Sequence, residues 1–192
     1  MGKLTAADKR KVQKPLLWIG LASIVMTFAG LTSGYVVSRS ALLADNRWLI
    51  FGLPPQFLYA TIIILVSSLT MILAKMALKK GQISMAGNLV LVSLFLGVAF
   101  FVIQIYGAQD MIDRGFNAVG VNTAVSWVYV IAGLHWLHLF SGLIVLLYTW
   151  YRTAIKKVHT ATDHQGFSVS AIYWHFLDGL WLYLYLFLLF IR

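Results

Sequence analysis

The sequence contains no cysteine, and all six of its acidic residues are aspartate, so glutamate is absent too. Without cysteine there is no disulfide, thiolate metal site or thiol nucleophile, although the cellular compartment stays open. Serine and threonine are plentiful, yet neither a G-x-S-x-G elbow nor a Walker-type phosphate loop occurs, which removes the best-marked hydrolase and nucleotide-binding classes. Charge is also scarce, at 11% of residues, against about a quarter in soluble domains. Internal repeats and low-complexity tracts are missing, and no connecting stretch is long enough to form a domain.

Apolar residues fill the chain instead: 60% are hydrophobic and the mean hydropathy is +0.83. Water is therefore not its main solvent. In hydrocarbon the backbone must satisfy its own hydrogen bonds, and long apolar runs favour helices over the short alternating segments of a barrel. Runs of about 20 apolar residues cross a bilayer core. Five occur, at 15–37, 57–76, 87–106, 126–148 and 171–191. The expected fold is all-α, an integral membrane bundle of five transmembrane helices forming one domain over residues 1–192. Pro15 suits a first helical turn, where its missing N–H costs nothing. The first run follows a basic tail as a signal peptide does, but it is too long for a signal core and is expected to stay as a helix.

The formal charge of +9 does not point to nucleic acid, because the basic residues lie in short tracts beside apolar runs and form no single patch. Lys3, Lys9, Arg10, Lys11, Lys14, Lys75, Lys79, Lys80, Arg152, Lys156 and Lys157 fall on one side of the five spans, and only Arg39, Arg47, Arg114 and Arg192 on the other. The positive-inside rule then predicts a cytoplasmic N-terminus and an outer C-terminus. An odd number of spans requires such opposite ends. The basic tail is expected to lie on the anionic inner leaflet.

Chemistry must come from few residues. Asp178 is the one carboxylate within a span, and an intramembrane carboxylate signals either a hydrogen-bonded packing role or a proton relay. His135 and His138 share a face of the fourth span with Gly142, and His175 shares a face of the fifth with Asp178. Counted along antiparallel helices, Asp178 and His138 lie at similar depth, so a cross-helix pair is expected. A haem or metal site is a rival reading of the three histidines, but they make a thin ligand set. Trp174 and Trp181 stand seven apart on one stripe with Asp178 between them, a pattern of packing contacts. Span glycines such as Gly97, Gly133 and Gly142 let helices approach closely.

Two motifs carry a family resemblance. The last span reads Tyr173-Trp174-His175-Phe176-Leu177-Asp178-Gly179-Leu180-Trp181 and the fourth reads Gly133-Leu134-His135-Trp136-Leu137-His138-Leu139. They resemble the Y-W-H-F-V-D-x-x-W and G-F-H-G-x-H-V signatures of subunit III of the haem-copper terminal oxidases, in the same order. Weaker matches are Gly97, Phe101 and Gln104 in the third span, Ser67, Ser68 and Thr70 in the second, and Ser23, Met26, Phe28 and Ala29 in the first. Glutamates that family members often carry are replaced by Ile24, Gly107 and Ser168, so roles resting on those carboxylates do not transfer. The chain is similar to the short form, beginning at the third helix of the longer seven-helix form, and should lack that form's enclosed lipid cleft.

The resemblance implies a non-catalytic accessory subunit of a proton-pumping cytochrome c oxidase in aerobic respiratory electron transport. Such a complex reduces O2 to water with electrons from cytochrome c or, alternatively, quinol. Haem and copper would then belong to the partner subunits I and II, with none in this chain. Its implied roles are to stabilise subunit I, to support proton uptake and to bind phospholipid in a bacterial inner membrane, the C-terminus being periplasmic. His135, His138, His175, Asp178, Trp174, Trp181 and Gln104 are the candidate polar and interface residues. A small transporter or proton channel, or a haem-binding membrane cytochrome, are the readings from other classes.

Overall fold

The computed structural model describes residues 6–118, 122–156 and 165–191, without the side chains of residues 6–11 and 13. Lys3, Lys157 and Arg192, which enter the charge bias, lie outside the described residues, as does Asp163. Five α-helices make up nearly all of it: α1 (Ala6–Ala44), α2 (Pro55–Lys79), α3 (Ile83–Asp113), α4 (Thr123–Trp150) and α5 (Gln165–Phe190). A π-helical turn, Tyr151–Ile155, extends α4. The shortest helix, α2, has 25 residues, more than the ~20 needed to cross a hydrocarbon core. All five are long and apolar enough to cross a membrane.

Several helices outrun the apolar runs that announce them. α3 continues to Asp113 and α1 to Ala44, because hydropathy marks where hydrocarbon lies and hydrogen bonding decides where a helix stops. Pro15 lies inside α1 and not in its first turn. The preceding Ala, Lys, Arg and Gln are good helix formers that extend the helix backward, and the bond a proline removes there can be replaced by water.

α2 and α3 form a tight hairpin through Gly81, whose φ of +79° suits glycine. α2, α3, α4 and α5 then close a ring of antiparallel neighbours, α5 returning against α2. α1 packs on the outside of this ring, touching α4 and α5 but neither α2 nor α3. Asn122 fastens one end of the bundle: its side chain caps α4 by accepting from Ala124 N at 2.9 Å, and its amide donates to Arg47 O at 2.9 Å. The α1–α2 connection is thereby tied to the start of α4.

Candidate functional site

Inside the ring, α5 lays its signature residues against the other helices. Trp174 and Trp181 are fully buried, and each indole finds a hydroxyl on α2. Trp174 Nε1 donates to Ser67 Oγ at 3.2 Å and Trp181 Nε1 to Thr61 Oγ1 at 3.0 Å. Ser67 Oγ in turn donates to Ser93 O on α3 at 3.0 Å. An indole N–H buried in hydrocarbon needs such a partner. The Trp174 ring fits because Gly97 of α3 and Gly142 of α4 have no side chain there: a Cβ on Gly97 would stand 2.7 Å from the ring and one on Gly142 3.2 Å.

His135 of α4 sits one layer away, wholly buried, in a cage of rings from α1, α3 and α5. Trp181 lies 5.2 Å from it, Phe100 6.3 Å and Phe28 6.5 Å between ring centroids. Neither ring nitrogen has a hydrogen-bond partner among the described residues. His138 faces α1 instead, 5.7 Å from Phe28. Its Nδ1 contacts Leu134 O at 2.8 Å, and since a carbonyl only accepts, Nδ1 carries the proton. Gln104, also fully buried, accepts from Trp136 Nε1 through Oε1.

The expected pair of Asp178 and His138 is not formed. Asp178 is 4% exposed, and neither carboxyl oxygen has a hydrogen bond among the described residues. Depth was a fair guide, but azimuth decides contact: on α5, Asp178 lies between Trp174 and Trp181 on the face turned to α2, whereas His138 turns towards α1. Ser68 of α2 lies close enough to bear on the carboxyl, yet its short hydrogen bond, 2.7 Å, is with His175 Nδ1.

The structure thus brings Trp174, Trp181 and His135 together in one packed interior, with Gln104 on the adjoining part of α3. His138 and His175 are placed on separate outer faces. No three His or Asp side chains of the described residues converge as metal ligands would. Sequence reasoning missed Thr61 as a functional partner and read Ser67 only as a weak match. The signal was present: two indoles seven apart on α5 call for two acceptors at similar spacing on a neighbour, and α2 carries hydroxyls at 61 and 67.

At the end holding Lys79 and Arg152, a groove of about 560 Å³ opens between α1, α4 and α5. Leu17, Leu21 and Ile24 form its apolar wall, with Arg152, Tyr148 and Tyr173 supplying polar groups.

Comparison with known proteins agrees with the signature residues. The sequence profile of the family described as cytochrome c oxidase subunit III matches residues 21–191. The chain is 28% identical over 185 residues to a probable cytochrome c oxidase subunit 3 of Nocardia farcinica, covering 92% of this chain and 86% of that one. It is 26% identical over 172 residues to cytochrome c oxidase subunit 3 of Thermostichus vulcanus, covering 88% and 82%. With the cytochrome bo(3) ubiquinol oxidase subunit 3 of Buchnera aphidicola it shares 28% identity over 186 residues, covering 94% and 88%.

Proposed function

Since the chain belongs to the cytochrome c oxidase subunit III family and is an accessory subunit of a haem-copper oxidase, we propose that it is a non-catalytic membrane scaffold for the oxidase core. The observation that carries this reading is the use to which its motif residues are put. The motif residues Trp174, Trp181 and His135 are taken up by packing and by bonds between helices. Chemistry then belongs to the haem- and copper-bearing subunits I and II, of which subunit I, carrying the active centre, is the main contact.

Cytochrome c is the proposed electron donor, with quinol the alternative, since relatives of similar identity are named for each. The chain works as a single transmembrane domain in a bacterial inner membrane, its N-terminus in the cytoplasm. Its support for proton uptake is indirect, through stabilisation of subunit I, because Ile24, Gly107 and Ser168 stand where family members often carry glutamates. The groove beside Arg152 fits a phospholipid, an acyl chain lying along Leu17 and Leu21 with the phosphate at the guanidinium.

Gentle purification of the tagged chain tests the reading. A multi-haem oxidase core should accompany it, and His135→Ala, His138→Ala or His175→Ala should leave the haem and copper content of that complex unchanged. A Soret band in the isolated chain, or stoichiometric loss of metal from an otherwise intact complex, would refute it.

A further inference from the structure

α1 and α2 both pack on α5 without touching each other, so a strip of α5 is left open between them. Gly179 is exposed on that strip, and a Cβ there would meet nothing within 4 Å. Beside it lies an apolar hollow of about 410 Å³ between α1 and α5, lined by Val25, Ala29 and Leu180 among others. Leu65 and Ile72 stand exposed on the α2 side. The result is a furrow floored by α5 and walled by α1 and α2.

One end of the furrow is polar. His175 of α5 and Ser68 of α2 are bonded at 2.7 Å and are both half-buried at its edge. Lys75 lies two turns along α2 from Ser68, half-buried and close enough for its charge to act on His175. No carboxylate of the described residues pairs with Lys75. An ammonium in a membrane-spanning helix is costly unless it reaches water or an anion.

We infer that the furrow between α1 and α2 is the seat of one membrane-spanning helix of the oxidase core, and that this helix carries an Asp or Glu that pairs with Lys75 at the polar end of the furrow. This rests on the accessory-subunit reading above. Three features favour a protein helix over lipid. Gly179 permits the close backbone approach by which membrane helices associate. The His175–Ser68 pair lies about 10 Å, seven residues at 1.5 Å each, further from the Lys79 end of α2 than Lys75 does, within reach of side chains on a neighbouring helix. The unpaired charge of Lys75 is complementary to a carboxylate at the same depth.

Because the chain has no cysteine, an introduced cysteine is the one thiol of this chain, and adducts formed in the intact complex can be assigned to it by peptide mass. Gly179→Cys, with room for the new side chain, would carry a photo-cross-linker, as would Phe95→Cys, whose residue is 66% exposed on α3 away from the furrow. The expected result is a covalent adduct between position 179 and one helix of a core subunit, identified by peptide mass, with position 95 labelling lipid. Lys75→Glu should lower retention of the chain on the core several-fold under a detergent wash, and Lys75→Arg should keep it. The inference is overturned if position 179 labels only lipid, if position 95 captures the core helix instead, or if Lys75→Glu is retained as well as the unaltered chain. Failure of the unaltered chain to accompany an oxidase core would be a different result, since it would sink the accessory-subunit reading itself.

Discussion

Single residues in this bundle matter chiefly by what they leave room for. Trp174 is held at its N–H by Ser67, so its ring cannot swing away from a new neighbour without breaking that bond. Gly97 faces the ring directly, and a Cβ there would stand 2.7 Å from it and 2.9 Å from Leu143. Overpacking a tight site costs about 1–3 kcal/mol, more than the roughly 1 kcal/mol that alanine gains over glycine in a helix. Gly97→Ala should therefore destabilise the subunit. Gly133→Ala, where nothing lies within 4 Å, should be neutral or slightly stabilising. Thermal unfolding of the two variants in the same detergent separates them, and equal midpoints would show that the ring has room to move. Asp178 illustrates the complementary point: its burial was legible from its place in an apolar run, but its partner was not, because depth along a helix says nothing about which neighbour a side chain faces.

At the scale of elements, the number and order of the helices could be read from apolar runs, while their ends and their pairing could not. α3 passes through Gly107 to Asp113, since Gly107 is needed there for space: a Cβ would come 2.8 Å from the Phe57 ring. The ring of α2 to α5 with α1 outside depends on contacts that no single run reveals. Of the candidate site, Trp174 and Trp181 were legible as packing residues by their spacing, and Gly97 and Gly142 by their place in spans, but Gly133, expected to do the same, has nothing within 4 Å. The hydroxyls of α2 that answer the indoles were not legible, since serine and threonine in a membrane helix often bond their own backbone. Thr61 does both, donating to Phe57 O at 2.7 Å and accepting from Trp181. This seam yields a prediction. Thr61→Val keeps the shape and removes the acceptor, so in a double-mutant cycle with Trp181→Phe the coupling should be about 0.6 kcal/mol and at most about 2, the range of interhelical polar contacts in membranes. Strict additivity would mean that the bond does not hold α5 to α2.

For the whole molecule, the question is which way the bundle stands in the membrane. Helices that alternate in direction put the start of α1, the α2–α3 turn and the start of α5 at one end, together with Lys75, Lys79, Lys80, Arg152 and Lys156. Arg39, Arg47 and Arg114 lie at the other, where Arg114 pairs with Asp110 at 2.7 Å. Lys and Arg near span ends resist translocation, and acidic residues matter little to the rule, so the first end, which carries more of them, should remain in the cytoplasm. Lipid reinforces this orientation, since each Lys or Arg near an anionic leaflet contributes roughly 1 kcal/mol. In that orientation Lys75 and the Arg152 groove would face the cytoplasmic leaflet. Phosphatase fused after Arg192 should be active outside the cytoplasm, and a fluorescent protein fused before Lys3 should fluoresce within it. Reversal of both signals would overturn the charge argument but keep the alternation of five helices. Finding both ends on one side would break the alternation itself, and with it the polar end assigned to the furrow, because Lys75 and the start of α5 would no longer face the same leaflet.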